Sequence, residues 1–151
     1  MMAGSHVVVG MATVTALGAV AGIHPDALMW TGAAFGALLP DIDHPGSWIG
    51  RRVWVISVPI SATFGHRGIT HSLFAVAACI AWAAFHRLSG FWVPVALGYL
   101  SHLGTDALTP AGVPLLWPNR RVFSLDLFKT GSATEYVLSS LVVLGMAALV
   151  R

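Results

Sequence analysis

Charge is the scarcest ingredient of this sequence. Only 9% of its 151 residues are Asp, Glu, Lys or Arg, where an ordinary soluble protein carries about 25%. So few charges cannot cover a water-facing surface. Eight basic residues against six acidic ones leave a net charge of +2. The pI near 9.2 therefore rests on a small, scattered excess, which excludes a nucleic-acid footprint. Cysteine is nearly absent as well. Cys79 stands alone in an apolar run, leaving no disulfide framework and no thiolate metal site. No basic region precedes the first apolar stretch, which has His6 at its head, so it reads as a retained helix and not as a cleaved signal. What is abundant is hydrocarbon: 56% apolar residues and a mean hydropathy of +0.78 describe an integral membrane protein. The length allows a single domain, residues 1–151.

The apolar runs predict helices over 6–23, 27–39, 53–64, 71–85, 91–108 and 132–150. The first and the last three are long enough to read as membrane spans. The run 27–39 is short and rich in Gly and Ala, which suits close packing against a neighbouring helix in lipid. The run 53–64 is broken by Pro59 and suits an interfacial or re-entrant segment. Residues 109–131, with Pro110, Pro114 and Pro118, read as an ordered polar excursion. The expected architecture is an all-α, polytopic membrane bundle of four to five membrane helices plus one short interfacial or re-entrant segment.

Threading these helices through a bilayer sorts the polar residues. If 27–39 crosses, one face receives His6; Asp41, Asp43 and His44; His66 and His71; His102 and Asp106; and Glu135. The other receives His24, Asp26, His86, Arg87 and Arg151. Polar groups in membrane helices are costly and mark functional sites. Arg51, Arg52, Arg67, Arg120, Arg121 and Lys129 share the first face, which the positive-inside tendency makes cytoplasmic.

Each cluster has a plain structural reading beside the chemical one. His102 and Asp106 stand four apart on a helix with Cβ atoms about 5–6 Å apart, so they could share a metal or simply a hydrogen bond. Asp41-Ile42-Asp43-His44 offers two carboxylates and an imidazole, or an Asp-rich turn. In Gly65-His66-Arg67-Gly68-Ile69-Thr70-His71-Ser72 the glycines free the backbone and Thr70 is placed to cap the next helix. That string reads as ligands beside an anion seat, or as a capped helix with incidental histidines. Ser132 and Glu135 form a capping box, and His6 alone would be a cap or interfacial residue. Ser72 and Ser101 each adjoin a histidine in sequence, a poor arrangement for a nucleophilic triad. Together His6, Asp41, Asp43, His44, His66, His71, His102 and Asp106 are potential ligands. Nitrogen and carboxylate without thiolate suit zinc, manganese or iron better than calcium. Two such ions could activate water for in-line displacement at phosphorus, with Arg67 and the helix start at Thr70 holding the non-reacting phosphate oxygens.

The strings Leu39-Pro40-Asp41-Ile42-Asp43-His44-Pro45, Gly65 to Ser72, Gly98-Tyr99-Leu100-Ser101-His102 through Asp106, Thr109 to Pro114 and Leu116-Trp117-Pro118, in that order, resemble the YdjM family of bacterial inner-membrane proteins. Gly4-Ser5-His6 and Glu135 resemble its two ends. That family is described as membrane-bound, metal-dependent hydrolases, some induced in the response to DNA damage. It is distantly similar to the zinc-dependent phospholipase C and single-strand nuclease superfamily. The resemblance implies His6, Asp41, His44, His66, His71, His102 and Asp106 as metal ligands, and Asp43 and Arg67 are the expected catalytic residues. The resulting expectation is a multi-pass hydrolase of the bacterial inner membrane that uses a divalent metal, zinc foremost and one or two ions. It would cleave the phosphoester of a phospholipid or lipid-linked phosphate at the cytoplasmic face. A metal-ion or proton transporter and a non-catalytic metal-binding scaffold are the alternatives.

Overall fold

The computed structural model describes residues 1–150; Arg151 lies outside the described residues. Among the described residues six α-helices make the fold: α1 (Ala3–Ala21), α2 (Ala27–Leu38), α3 (Trp54–Phe64), α4 (Leu73–Phe85), α5 (Trp92–Ala107) and α6 (Ala133–Leu149). Short 3-10 turns cover Leu39–Asp43 and Ile69–His71. Among the described residues no strand forms, and the one isolated bridge, Val113 with Phe123, pins the excursion after α5. Leu125 and Leu127 donate their amides to the carbonyls of Ala107 and Leu108, which folds that excursion back over the end of α5. The protein is all-helical.

Local chemistry explains most boundaries. The Asp26 carboxylate accepts from the Met29 amide at 2.8 Å and starts α2. α2 ends at Leu38, and Pro40 sits in the first turn of the 3-10 helix that follows, where a missing N–H costs nothing. The expected cap at Thr70 is corrected. Ser72 occupies the N-cap of α4 without a side-chain bond, because the Thr70 hydroxyl is committed to Asp43.

The centre is α2 laid along α5, with α1 against both; α6 packs on α1, α4 on α5, and α3 on the Leu39–Asp43 turn. Small residues permit this closeness. A Cβ at Gly36 would overlap the Val95 carbonyl, and one at Gly98 would overlap the Ala33 carbonyl, so the two backbones touch at the glycines. Burial is inverted relative to a soluble protein. His6, His71, His102, Glu135, Asp43 and Asp106 are among the largest fully buried side chains, while Phe85, Val20 and Leu144 are mostly exposed.

By length and composition α1 is the one described helix able to cross a membrane, and α3, α4 and α6 are apolar but shorter. Its 19 residues span about 28 Å against a hydrocarbon core of about 30 Å. Part of the difference from the expected spans is local: residues 69–71 coil into a 3-10 turn, so α4 begins at Leu73 and loses about 3 Å of reach.

Candidate metal centre

The topology gathers one end of each central helix. His6 lies in the first turns of α1, Asp41 and Asp43 in the turn after α2, His71 just before α4, and His102 with Asp106 near the end of α5. The turns carrying His24, Asp26 and His86 lie at the opposite helix ends.

Asp43 organises the loop around it. Its fully buried carboxylate accepts from His66 Nδ1 through Oδ1 at 3.0 Å. Its Oδ2 accepts from the Arg67 amide at 3.0 Å, His71 Nδ1 at 3.2 Å and the Thr70 hydroxyl. Burial pushes the Asp43 carboxyl up, but hydrogen bonds from His66, His71 and Thr70 outweigh it and hold the group well below the ordinary carboxylate range. Reaching this arrangement places Gly65 at φ +76° and Arg67 at φ +57°. The latter is a left-handed conformation that costs a non-glycine residue about 1–3 kcal/mol, and the Arg67 amide bond to Asp43 helps to hold it there.

The three inner histidines share one design, in which Nδ1 is anchored and Nε2 faces the centre. His71 Nδ1 donates to Asp43. His102 Nδ1 donates to the Ala37 carbonyl at 2.7 Å, and a carbonyl can only accept, so the hydrogen is on Nδ1 and the lone pair on Nε2. His6 Nδ1 lies 2.9 Å from Thr105 Oγ1, whose own hydrogen points to the backbone carbonyls of Ser101 and His102. The buried Nε2 atoms of His71 and His102 have no hydrogen-bond partner. They face carboxylates instead. His71 Nε2 is 4.0 Å from Asp41 Oδ1 and 3.8 Å from Asp106 Oδ2; His102 Nε2 is 3.8 Å from each of the same oxygens. On the other side of Asp106, His6 Nε2 approaches Oδ1 at 3.3 Å, and the His6 ring stacks on His102 at 3.7 Å between centroids.

Lone pairs aimed at carboxylate oxygens in a buried pocket repel each other unless a cation or a proton lies between them. The spacing admits a metal. Two ligands held about 2.0–2.2 Å from one ion lie no more than about 4.4 Å apart, and all four separations meet that. Two overlapping groups result, His6 with His102 and Asp106, and Asp41 with His71 and His102, each with its ligand atoms within 4.8 Å of one another. The set is nitrogen and carboxylate, and the anchored Nδ1 atoms match the outer partners that ligating histidines use.

Not every expected residue joins. The structure brings together His6, Asp41, His71, His102 and Asp106, whereas the His44 and His66 rings pack against each other, tilted, at 4.5 Å between centroids outside both groups. The His66 side chain is 44% exposed. Asp43 touches no group at the centre except through His71. Arg67 bridges Asp106 Oδ2 at 2.6 Å and the Gly112 carbonyl, and the amino group of Met1 lies 2.6 Å from Asp106 Oδ1. Above these residues opens a chamber of about 510 Å3 lined by Asp41, His44, Arg51, His66, Arg67 and Asp106, among others. Sequence reasoning missed Thr105 and the Ala37 carbonyl. Thr105 offered a faint signal, a hydroxyl directly before Asp106; the carbonyl offered none. Glu135 is buried and accepts from the Met2 and Gly131 amides at 2.8 and 2.7 Å. Ser132 does cap the Glu135 amide, but the return bond of a capping box goes instead to the start of α1.

Comparison with known proteins places this chain in a family. The model of the family described as YdjM inner membrane protein matches residues 1–150. The inner membrane protein YdjM of Escherichia coli K12 is 52% identical over 101 residues, covering 63% of this chain and 52% of that protein, and the protein of the same name from Shigella flexneri aligns equally. The chain thus spans about half the length of these two relatives. The uncharacterized protein YvsG of Bacillus subtilis is 37% identical over 136 residues, covering 89% of this chain and 84% of that protein. No solved structure matches. With a model match over essentially its whole length, the chain belongs to the YdjM family of inner membrane proteins.

Proposed function

We propose that this protein is a multi-pass, metal-dependent phosphoester hydrolase whose site faces the cytoplasm. The observation that supports it most is the pair of buried, unpartnered Nε2 atoms of His71 and His102, each aimed at the carboxylates of Asp41 and Asp106. His71, His102, Asp41 and Asp106 would hold one divalent ion, with zinc the best match to the donor set. His6 and the second oxygen of Asp106 extend the set towards a second. A bound ion of this kind supplies a Lewis acid that activates water at neutral pH. The chain's own residues do the rest. Asp43 orients His71, Thr105 orients His6, and the Ala37 carbonyl fixes the tautomer of His102. Arg67, the guanidinium nearest the carboxylates, is placed to fork onto non-reacting phosphate oxygens. His44 and His66 line the chamber and take substrate-facing roles here. A multi-pass arrangement with this end in the cytoplasm puts the six basic residues of the loops on the inner side.

The test is elemental analysis of detergent-purified protein followed by a phosphoester and phospholipid screen. At least one transition metal per chain is expected, together with hydrolysis that chelation abolishes and zinc restores. Retention of the full metal content after His102→Ala with Asp106→Ala would sink the assignment of the centre. Full metal with no turnover on any phosphoester would leave the centre and remove the hydrolase.

A further inference from the structure

At the start of α1 the polar chamber adjoins two apolar grooves, one on each side of the line where α6 packs on α1. The first, about 410 Å3, begins at Met1 and runs between Val9 of α1, Leu108 just after α5, Phe128, and Leu138 and Val142 of α6. The second, about 440 Å3, begins at Met2 and Gly4 and runs between Val8 of α1 and Tyr136 and Val143 of α6. Met1 borders both the chamber and the first groove, and Met2 and Gly4 border both the chamber and the second. One polar chamber therefore borders two apolar grooves.

Either groove alone would be an ordinary place for bulk lipid to lie. Their common origin is what selects an occupant. Beside the carboxylates of Asp41 and Asp106 the chamber presents Arg51, Arg67, His44 and His66, and guanidinium forks complement phosphate. A water-soluble phosphoester would use neither groove, and a one-chain amphiphile would leave one unfilled. We propose that the occupant is a two-chain membrane phospholipid, with its phosphate in the chamber beside Arg67 and Arg51 and one acyl chain in each groove astride the α1–α6 contact. This rests on the reading of the chamber as a phosphoester site and names its substrate class.

The experiment reads occupancy and not turnover. Full-length protein is reconstituted in phosphatidylcholine vesicles containing a trace of phosphatidic acid with a photoreactive diazirine on either acyl chain, irradiated, and mapped by peptide mass spectrometry. Label is expected on Leu138 and Val142 from one groove and on Tyr136 and Val143 from the other. Excess unlabelled phosphatidic acid should reduce it at least fivefold. Val142→Trp should remove label from the first groove only, and Val143→Trp from the second only. Label of equal intensity on Phe74 and Ile80, exposed residues of α4, would mean annular lipid and overturn the proposal. Label confined to one groove, or insensitive to competition, would overturn it too. Because no hydrolysis is read, groove-specific label on a protein inert towards every phosphoester would retain this inference while removing the hydrolase reading. Hydrolysis of soluble phosphoesters without groove label would do the reverse.

Discussion

Replacing Asp43 by Asn tests whether that carboxylate positions the centre or belongs to it. The substitution keeps the shape and removes the charge together with half of the acceptors. Four donors converge on the native carboxylate: His66 Nδ1 on Oδ1, and the Arg67 amide, Thr70 hydroxyl and His71 Nδ1 on Oδ2. An amide nitrogen cannot accept, so the least costly orientation turns it towards His66, the one partner that is substantially exposed and free to swing into water. His71 then donates to a neutral oxygen, which weakens its Nε2 as a ligand. Losing an outer partner of this kind lowers metal affinity about 10–100-fold, which is about 1.4–2.7 kcal/mol. The assay is zinc competition against a chromophoric chelator in detergent, with circular dichroism to confirm helix content. Affinity equal to the parent would refute the positioning role. A loss as complete as that of Asp41→Ala would show that Asp43 ligates the ion directly.

Three further outcomes are expected. The folded Asp43 carboxyl is held low, so the stability it contributes is present above the unfolded value of about 3.9 and is lost as pH falls below that value through the folded one. Acid unfolding followed by tryptophan fluorescence should therefore be flatter below about pH 4 in Asp43→Asn than in the parent. Thr105→Val leaves His6 Nδ1 without its buried partner, at a cost of about 1–3 kcal/mol. Thermal melts should show that loss of stability, and metal affinity should fall with it; unchanged melts and affinity would show that His6 is held by other contacts. Gly98→Val drives a side chain into the Ala33 carbonyl, which should cost at least about 1–3 kcal/mol and disrupt the His102 to Ala37 bond. A melt and metal content like the parent's would refute the close approach of α2 and α5.

How legible was this molecule in its sequence? The helices and their order were, because long uncharged runs broken by Gly, Pro and Asp leave little else for the backbone to form. The starts of α2 and α6 were too, since Asp26 and Ser132 cap within three residues of themselves. The return bond of Glu135 was not: its carboxylate reaches Met2, at the other end of the chain. Thr70 failed as a cap for the same reason, since a local propensity of about 1 kcal/mol loses to a buried carboxylate arriving from residue 43.

The candidate site divides along the same line. The sequence by itself determined that histidines and carboxylates collect at one end of the helices, because that follows from helix order and direction, and it determined the His102–Asp106 face, because 3.6-residue periodicity is local. Only the tertiary structure decided which imidazoles turn inward. His66 and His71 share a glycine-bracketed loop and both bond Asp43 through Nδ1, yet one is 44% exposed and the other fully buried against α5. Nothing in eight contiguous residues encodes that difference, because it is set by where Asp43, Tyr99 and the Ala37 carbonyl stand once α2 and α5 have closed on their glycines. Long-range packing fixes those positions, and the pattern along the chain carries no record of it.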